Sequence, residues 1–165
     1  MRDSRVTIFN STVMDTGTTT VTGPDINLLD GYTYNGSYRE GTSLYGIGAE
    51  IMVSGVTLGN DADGVTWTWK WQVAPDSSGS AGTYVDAATI GVIAYDDTNF
   101  FTKDGTLTGT ALGLTRAKLS SRLRTTKPWA RLVCTSADIE GTFTCTVNAW
   151  LSDGTHPFAD SGVVY

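Results

Sequence analysis

Asn60-Asp61-Ala62-Asp63-Gly64 sets oxygen-bearing side chains close together, the way a calcium-binding loop begins. The bidentate Glu that would close such a loop does not follow at the required distance, so the segment reads as an Asx-type turn. Acid–base chemistry has little else to use. His156 is the only histidine and sits in Asp153-Gly154-Thr155-His156-Pro157, a turn, so no histidine-based metal cluster can form. Glycoside hydrolysis needs two carboxylates whose spacing is spatial rather than sequential. The glutamates are only Glu40, Glu50 and Glu140, and Asp96-Asp97 falls in a loop where solvation accounts for the pair. G-x-S-x-G, phosphate-loop and dinucleotide fingerprints do not occur. No residue is therefore assigned as catalytic or metal-binding, no cofactor is expected, and the chain is expected not to be an enzyme.

The residues of strongest pattern are Val65-Thr66-Trp67-Thr68-Trp69-Lys70-Trp71-Gln72-Val73. A strand alternates its side chains between two faces. Trp67, Trp69 and Trp71 then share one face, and Thr66, Thr68 and Lys70 the other. Such a row of indoles can wall a core, form a platform for sugars or stacked bases, or make a subunit contact. The core reading is favoured, because sugars or bases need exposed rings.

The elements around this strand are also of β type. Among 165 residues, 27 are Thr and 19 Gly, which suits many short strands joined by turns. The length fits one domain, able to fold without a disulfide or metal. Residues 1–22 read as an N-terminal arm or edge strand, ended by Gly23-Pro24-Asp25, and residues 23–165 as a single β-sandwich domain. Asp30 to Gly46, with Tyr32, Tyr34, Tyr38 and Tyr45, reads as a long ordered loop, and Pro75 to Gly82 as a flexible one. Strands are expected from Ile47 to Val53, from Ile90 to Tyr95 and from Ala117 to Arg124, with a short helix as the competing reading of the last. Trp129 to Thr135 and Thr142 to Leu151 read as a hairpin with Cys134 opposite Cys145, Leu132 opposite Val147 and Trp129 opposite Trp150. The core is expected to include Trp67, Trp69, Trp71, Leu132, Cys134, Cys145 and Val147. The cysteines are expected to be free buried thiols, too close in sequence for the inter-sheet bridge of an antibody domain.

Net charge is −6, which argues against nucleic acid or an anionic membrane as partner. The charge is uneven. Arg116, Lys118, Arg122, Arg124, Lys127 and Arg131 fall in a stretch without acids, while five basic residues face all 17 acids elsewhere. Such a strip can be a contact surface or a solvated strand face. No secretion signal or membrane-spanning apolar run is legible, so synthesis in a cytoplasm is expected.

Residues 46–151 resemble the capsid cement, or decoration, proteins of tailed phages, which are small jelly-roll-like β-sandwiches. Ile47-Gly48-Ala49-Glu50-Ile51-Met52-Val53 is similar to their first main strand, and Trp69-Lys70-Trp71-Gln72-Val73-Ala74-Pro75-Asp76-Ser77 to a W-x-W-Q-x-S-x-D strand and loop. Thr125-Thr126-Lys127-Pro128-Trp129-Ala130-Arg131-Leu132-Val133 is similar to a T-x-x-x-Y-x-R-V strand, and Gly141 to Leu151 to the closing strand. The three alternating tryptophans and the Tyr-rich loop depart from that pattern. The resemblance implies an all-β, antiparallel, jelly-roll-like sandwich with long loops and an extended N-terminal arm. It implies a protein of the virion exterior, without catalysis, that binds the major capsid protein of an assembled head and clamps neighbouring capsomers as a homotrimer. Neither nucleic acid nor membrane is an implied partner. Candidate capsid or subunit contacts are Arg116, Lys118, Arg122, Arg124, Tyr32, Tyr34 and Tyr38. The alternative is a carbohydrate- or receptor-binding module of a phage fibre, with exposed indoles; a hydrolase on a β-scaffold is the third reading.

Overall fold

A computed structural model describes residues 7–28, 32–34, 37–39, 47–59, 64–96, 99–102, 116–137 and 141–152. In chain order the strands are β1 (Thr7–Asp15), β2 (Thr20–Thr22), β3 (Ile26–Asn27), β4 (Tyr32–Tyr34), β5 (Ser37–Arg39), β6 (Ile47–Leu58) and β7 (Val65–Ala74). They continue as β8 (Asp76–Ser77), β9 (Ser80–Ala81), β10 (Val85–Tyr95), β11 (Phe100–Thr102), β12 (Arg116–Leu123), β13 (Trp129–Ala137) and β14 (Phe143–Ser152). Every pairing among them is antiparallel.

One sheet runs β1-β14-β6-β12, the other β2-β13-β7-β10, extended by β11 beside β10 and by β3 beside β13. The chain passes repeatedly from one sheet to the other, with β7, β10 and β11 together in the second sheet, and this order is that of a jelly roll. Residues 7–15 and 20–22 supply one edge strand to each sheet. The chain crosses between them at Asp15, whose Oδ1 accepts the N–H groups of Gly17 at 2.8 Å and Thr18 at 2.6 Å. Just after β2, Gly23 donates its N–H to the Leu132 carbonyl at 2.8 Å. A Cβ there would lie 2.5 Å from Ile8 Cγ2, so the sheets close at this corner only around a glycine.

The inner faces form one core. Trp67, Trp69 and Trp71 are all 0% exposed, on the face that the alternation of β7 dictates. Across the sandwich Phe9 of β1 meets Trp69 edge-on, with ring centroids 6.1 Å apart, and Phe143 of β14 meets Trp67 at 6.4 Å. Leu132, Cys134, Cys145 and Val147 are buried in the same cluster. The indole N–H groups of Trp67 and Trp69 have no hydrogen-bond partner, although the Cys145 thiol is near that of Trp67. An unpaired buried donor costs about 1–3 kcal/mol, against roughly 4–6 kcal/mol for removing an indole's surface from water.

Three sequence-based expectations need correction. β13 and β14 are strands but not a hairpin: β13 pairs with β7, β2 and β3, and β14 with β1 and β6. Cys134 is in register with Trp69 and Val21, and Cys145 with Met14, so the cysteines belong to opposite sheets. Side by side, the two apolar faces would need a third surface to cover them, whereas facing each other they cover themselves. Second, Tyr32–Tyr34 and Ser37–Arg39 pair antiparallel as two short strands within the stretch expected to be loop. Third, Pro75–Gly82 holds the tight β8–β9 hairpin, whose turn residues Ser78 and Gly79 have φ of 57° and 85°. Positive φ at both positions matches the twist of a two-residue turn. The Gly/Thr-rich stretch Leu107 to Leu114, which the sequence suggests as a strand broken by Gly109 and Gly113, and residues 60–63, read as a turn, lie outside the described residues.

Both thiols are free. Burial, and then the neighbouring Cys145, push Cys134 far above its ordinary value of 9.0, and burial pushes Cys145 up to about 12. Above pH 9 the unfolded chain loses these protons while the folded chain keeps them, so stability falls as pH rises. The expected slope is up to about 1.4 kcal/mol per pH unit for each thiol. Urea titrations at about pH 8 and about pH 10 should show a shallower loss in Cys134→Val. The aromatic wall makes a second expectation. Trp69→Ala should cost about 3–5 kcal/mol, and Trp69→Phe clearly less, because its ring refills most of the space and no hydrogen bond is lost with the unpaired N–H. A loss in Trp69→Phe as large as in Trp69→Ala, in thermal or urea unfolding, would contradict a wall whose worth lies in filled apolar volume.

Candidate binding face

The outer face of the second sheet follows from the same alternation. With its indoles inside, β7 turns Thr66, Thr68, Lys70 and Gln72 outward. β13 turns Ala130, Leu132, Cys134 and Ser136 inward, which leaves Trp129, Arg131, Val133 and Thr135 on the outer face, with Val133 covered there by its neighbours. The register then sets Arg131 opposite Gln72, and Gln72 opposite Asp86 of β10, in one line across three strands.

These side chains hold one another. Arg131 donates from Nε to Gln72 Oε1 at 2.9 Å, and Gln72 donates from Nε2 to Asp86 Oδ1 at 2.8 Å. Lys70 Nζ lies 2.7 Å from Asp86 Oδ2. The Arg131 guanidinium sits 3.8 Å from the ring centroid of Tyr84, a cation–π contact. Tyr84, just before β10, donates its hydroxyl to Asp25 Oδ1 at 2.8 Å. Partial burial, and then this bond, raise the Tyr84 pKa well above its usual value, so the phenol stays protonated. The bonds from Lys70 and then Gln72 hold the Asp86 carboxyl below its ordinary range. Beside Arg131, Trp129 donates its indole N–H to Asp76 Oδ1 at 3.0 Å, and Asp76 Oδ2 accepts the Gly79 N–H at 3.1 Å. These bonds hold Asp76 low as well, that from Trp129 first.

The sequence-based contact residues are not gathered at one place. Arg116, Lys118 and Arg122 fall on β12, the edge of the first sheet, opposite Ser54, Met52 and Gly48. Arg124 is exposed just past that strand, and Lys127 is exposed in the following turn. Arg131 belongs to the other sheet, so the basic segment is not one continuous strip. A charged edge also prevents unwanted strand pairing. Tyr32, Tyr34 and Tyr38 lie on the β4–β5 hairpin, and their side chains are outside the described residues. His156, Glu40, Glu140 and Asp97 are outside them as well. Asp96 caps a turn by accepting the Asn99 N–H at 2.7 Å. Among the described residues, no three His, Cys, Asp or Glu side chains come together as a metal site. Sequence reasoning missed Gln72, Tyr84 and Asp86. The alternation of β7 already placed Lys70 and Gln72 outward, but nothing local named the strands beside them.

No family model and no curated protein matches the chain. Among solved structures it is similar to alginate lyase AlgAT5 from Polysaccharide Lyase family 7. The identity is 12% over 92% of this chain and 85% of that one, with a TM-score of 0.33. The expectation that the chain is not an enzyme is corrected to no assignment, since the similar chain is an enzyme and nothing found supports the absence of catalysis. A likeness this slight does not carry the lyase's activity over.

The network yields a direct expectation. Gln72→Ala and Arg131→Ala should each cost about 1 kcal/mol of stability, and the double variant less than their sum, because both remove the same bond. Strict additivity in urea unfolding would show that the side chains do not hold one another in solution.

Proposed function

We propose that the chain is a phage virion structural protein, a capsid decoration protein that docks on the outside of an assembled head and clamps neighbouring capsomers. The observation that carries this reading is the sealed aromatic wall. Trp67, Trp69 and Trp71 join two sheets into one block, so recognition falls to the outer faces and edges. A rigid block loses little conformational entropy on docking, and many copies on one lattice gain through avidity. Jelly rolls serve in viral capsid domains and in lectins alike, so the fold is compatible with the reading without selecting it. The buried indoles count against a fibre module whose sugar platform is β7.

In this reading the major capsid protein is the partner, the protein itself assembles as a homotrimer, and β12 with Arg124 is the basic rim that meets an acidic shell. Purified protein should sediment with shells that lack it and not with free capsid subunits. Light scattering should return the mass of a trimer. Arg122→Glu combined with Arg124→Glu should lower occupancy about tenfold and flatten its dependence on salt. Unchanged occupancy would remove β12 from the contact, and protein left in the supernatant with shells would end the reading.

A further inference from the structure

The network across β10, β7 and β13 orders side chains that are rich in rotamers on a face open to solvent. Exposed ion pairs and hydrogen bonds return little stability for that ordering. A preset arrangement of this kind lowers the cost of binding something. We propose that the outer face of the second sheet, centred on Trp129 and Arg131, binds a neutral, hydroxyl-rich glycan.

Three observations lead to that ligand class. The first is the valence left over. Arg131 spends Nε on Gln72 and keeps its Nη hydrogens, Lys70 keeps further ammonium hydrogens, and Asp25 keeps an oxygen beyond the one that Tyr84 uses. Donors and acceptors therefore lie near one another in fixed positions, as sugar hydroxyls, which both donate and accept, require. The second is charge. Lys70 and Arg131 stand among three carboxylates, Asp86, Asp25 and the Asp76 that holds Trp129, so a polyanion would meet carboxylates and a cation would meet the two basic groups. The third is the aromatic neighbour. Trp129 is half-buried, with its N–H tied to Asp76, and stands two residues from Arg131 on the same face. That spacing is about 7 Å, the span of about one sugar ring, which can lay its C–H face on an indole while its hydroxyls reach the polar groups. This inference does not rest on the capsid reading.

The test is a titration of the full chain with cellohexaose, laminarihexaose, maltohexaose, mannohexaose and chitohexaose, with polygalacturonate and heparin as acidic comparisons. Calorimetry and tryptophan emission are the readouts. At least one neutral oligosaccharide should bind and change the emission. Arg131→Ala should weaken that binding at least about tenfold, and Trp129→Phe should remove the emission change while Trp150→Phe keeps it. If Arg131→Ala does not fold, Arg131→Lys keeps the charge but not the planar fork and should show the same loss. Binding of acidic polymers alone, binding by none of the neutral oligosaccharides, or binding indifferent to changes at Arg131 and Trp129 would each overturn the proposal.

Discussion

Three indoles on one face of β7 have to leave water together, and a single sheet cannot remove them. The strand must sit inside its sheet, with β10 on one side and β13 on the other, and a second apolar face must lie over it. Phe9 and Phe143 supply that cover from the edge and the interior of the first sheet. The inward face of β13 and the buried positions of β6 and β14 complete it. The two unpaired indole N–H groups show how strongly the requirement acts, since their cost is outweighed by the apolar area removed from water.

The same constraint explains why the C-terminal strands separate. Trp129–Ala137 and Phe143–Ser152 are close in sequence and complementary in pattern, which is why a hairpin is the local expectation. As a hairpin they would bury their apolar faces on one side and leave the indoles half covered. Divided between the sheets, β13 lines β7 from within its sheet and β14 closes the core from the other. The cysteines follow their strands, and each thiol is raised by burial in the core.

Turning the indoles inward also decides what the outer face carries. Lys70 and Gln72 face out because Trp69 and Trp71 face in, and Arg131 faces out because Leu132 faces in. Core and surface are thus two results of one alternation. The line from Arg131 through Gln72 to Asp86 is the register of three strands written in side chains.

Much of this was legible from local pattern. The strand at β7, the alternation in β12, the extended character of β13 and β14, and the membership of Trp67, Leu132, Cys134 and Val147 in the core all rest on a period of two. That period is a property of the backbone and needs no partner. The β8–β9 hairpin reads locally as a flexible loop, although Ser78-Gly79 is a pair of residue types that tolerates the positive φ found there. Tertiary structure alone decided which strands lie side by side and at what register. Pairing depends on a contest among all the apolar faces of the chain for a shared interior, and no segment contains the terms of that contest. The separation of Cys134 from Cys145 between sheets came from there, as did the meeting of Tyr84 with Arg131 and the division of the basic segment between the two sheets.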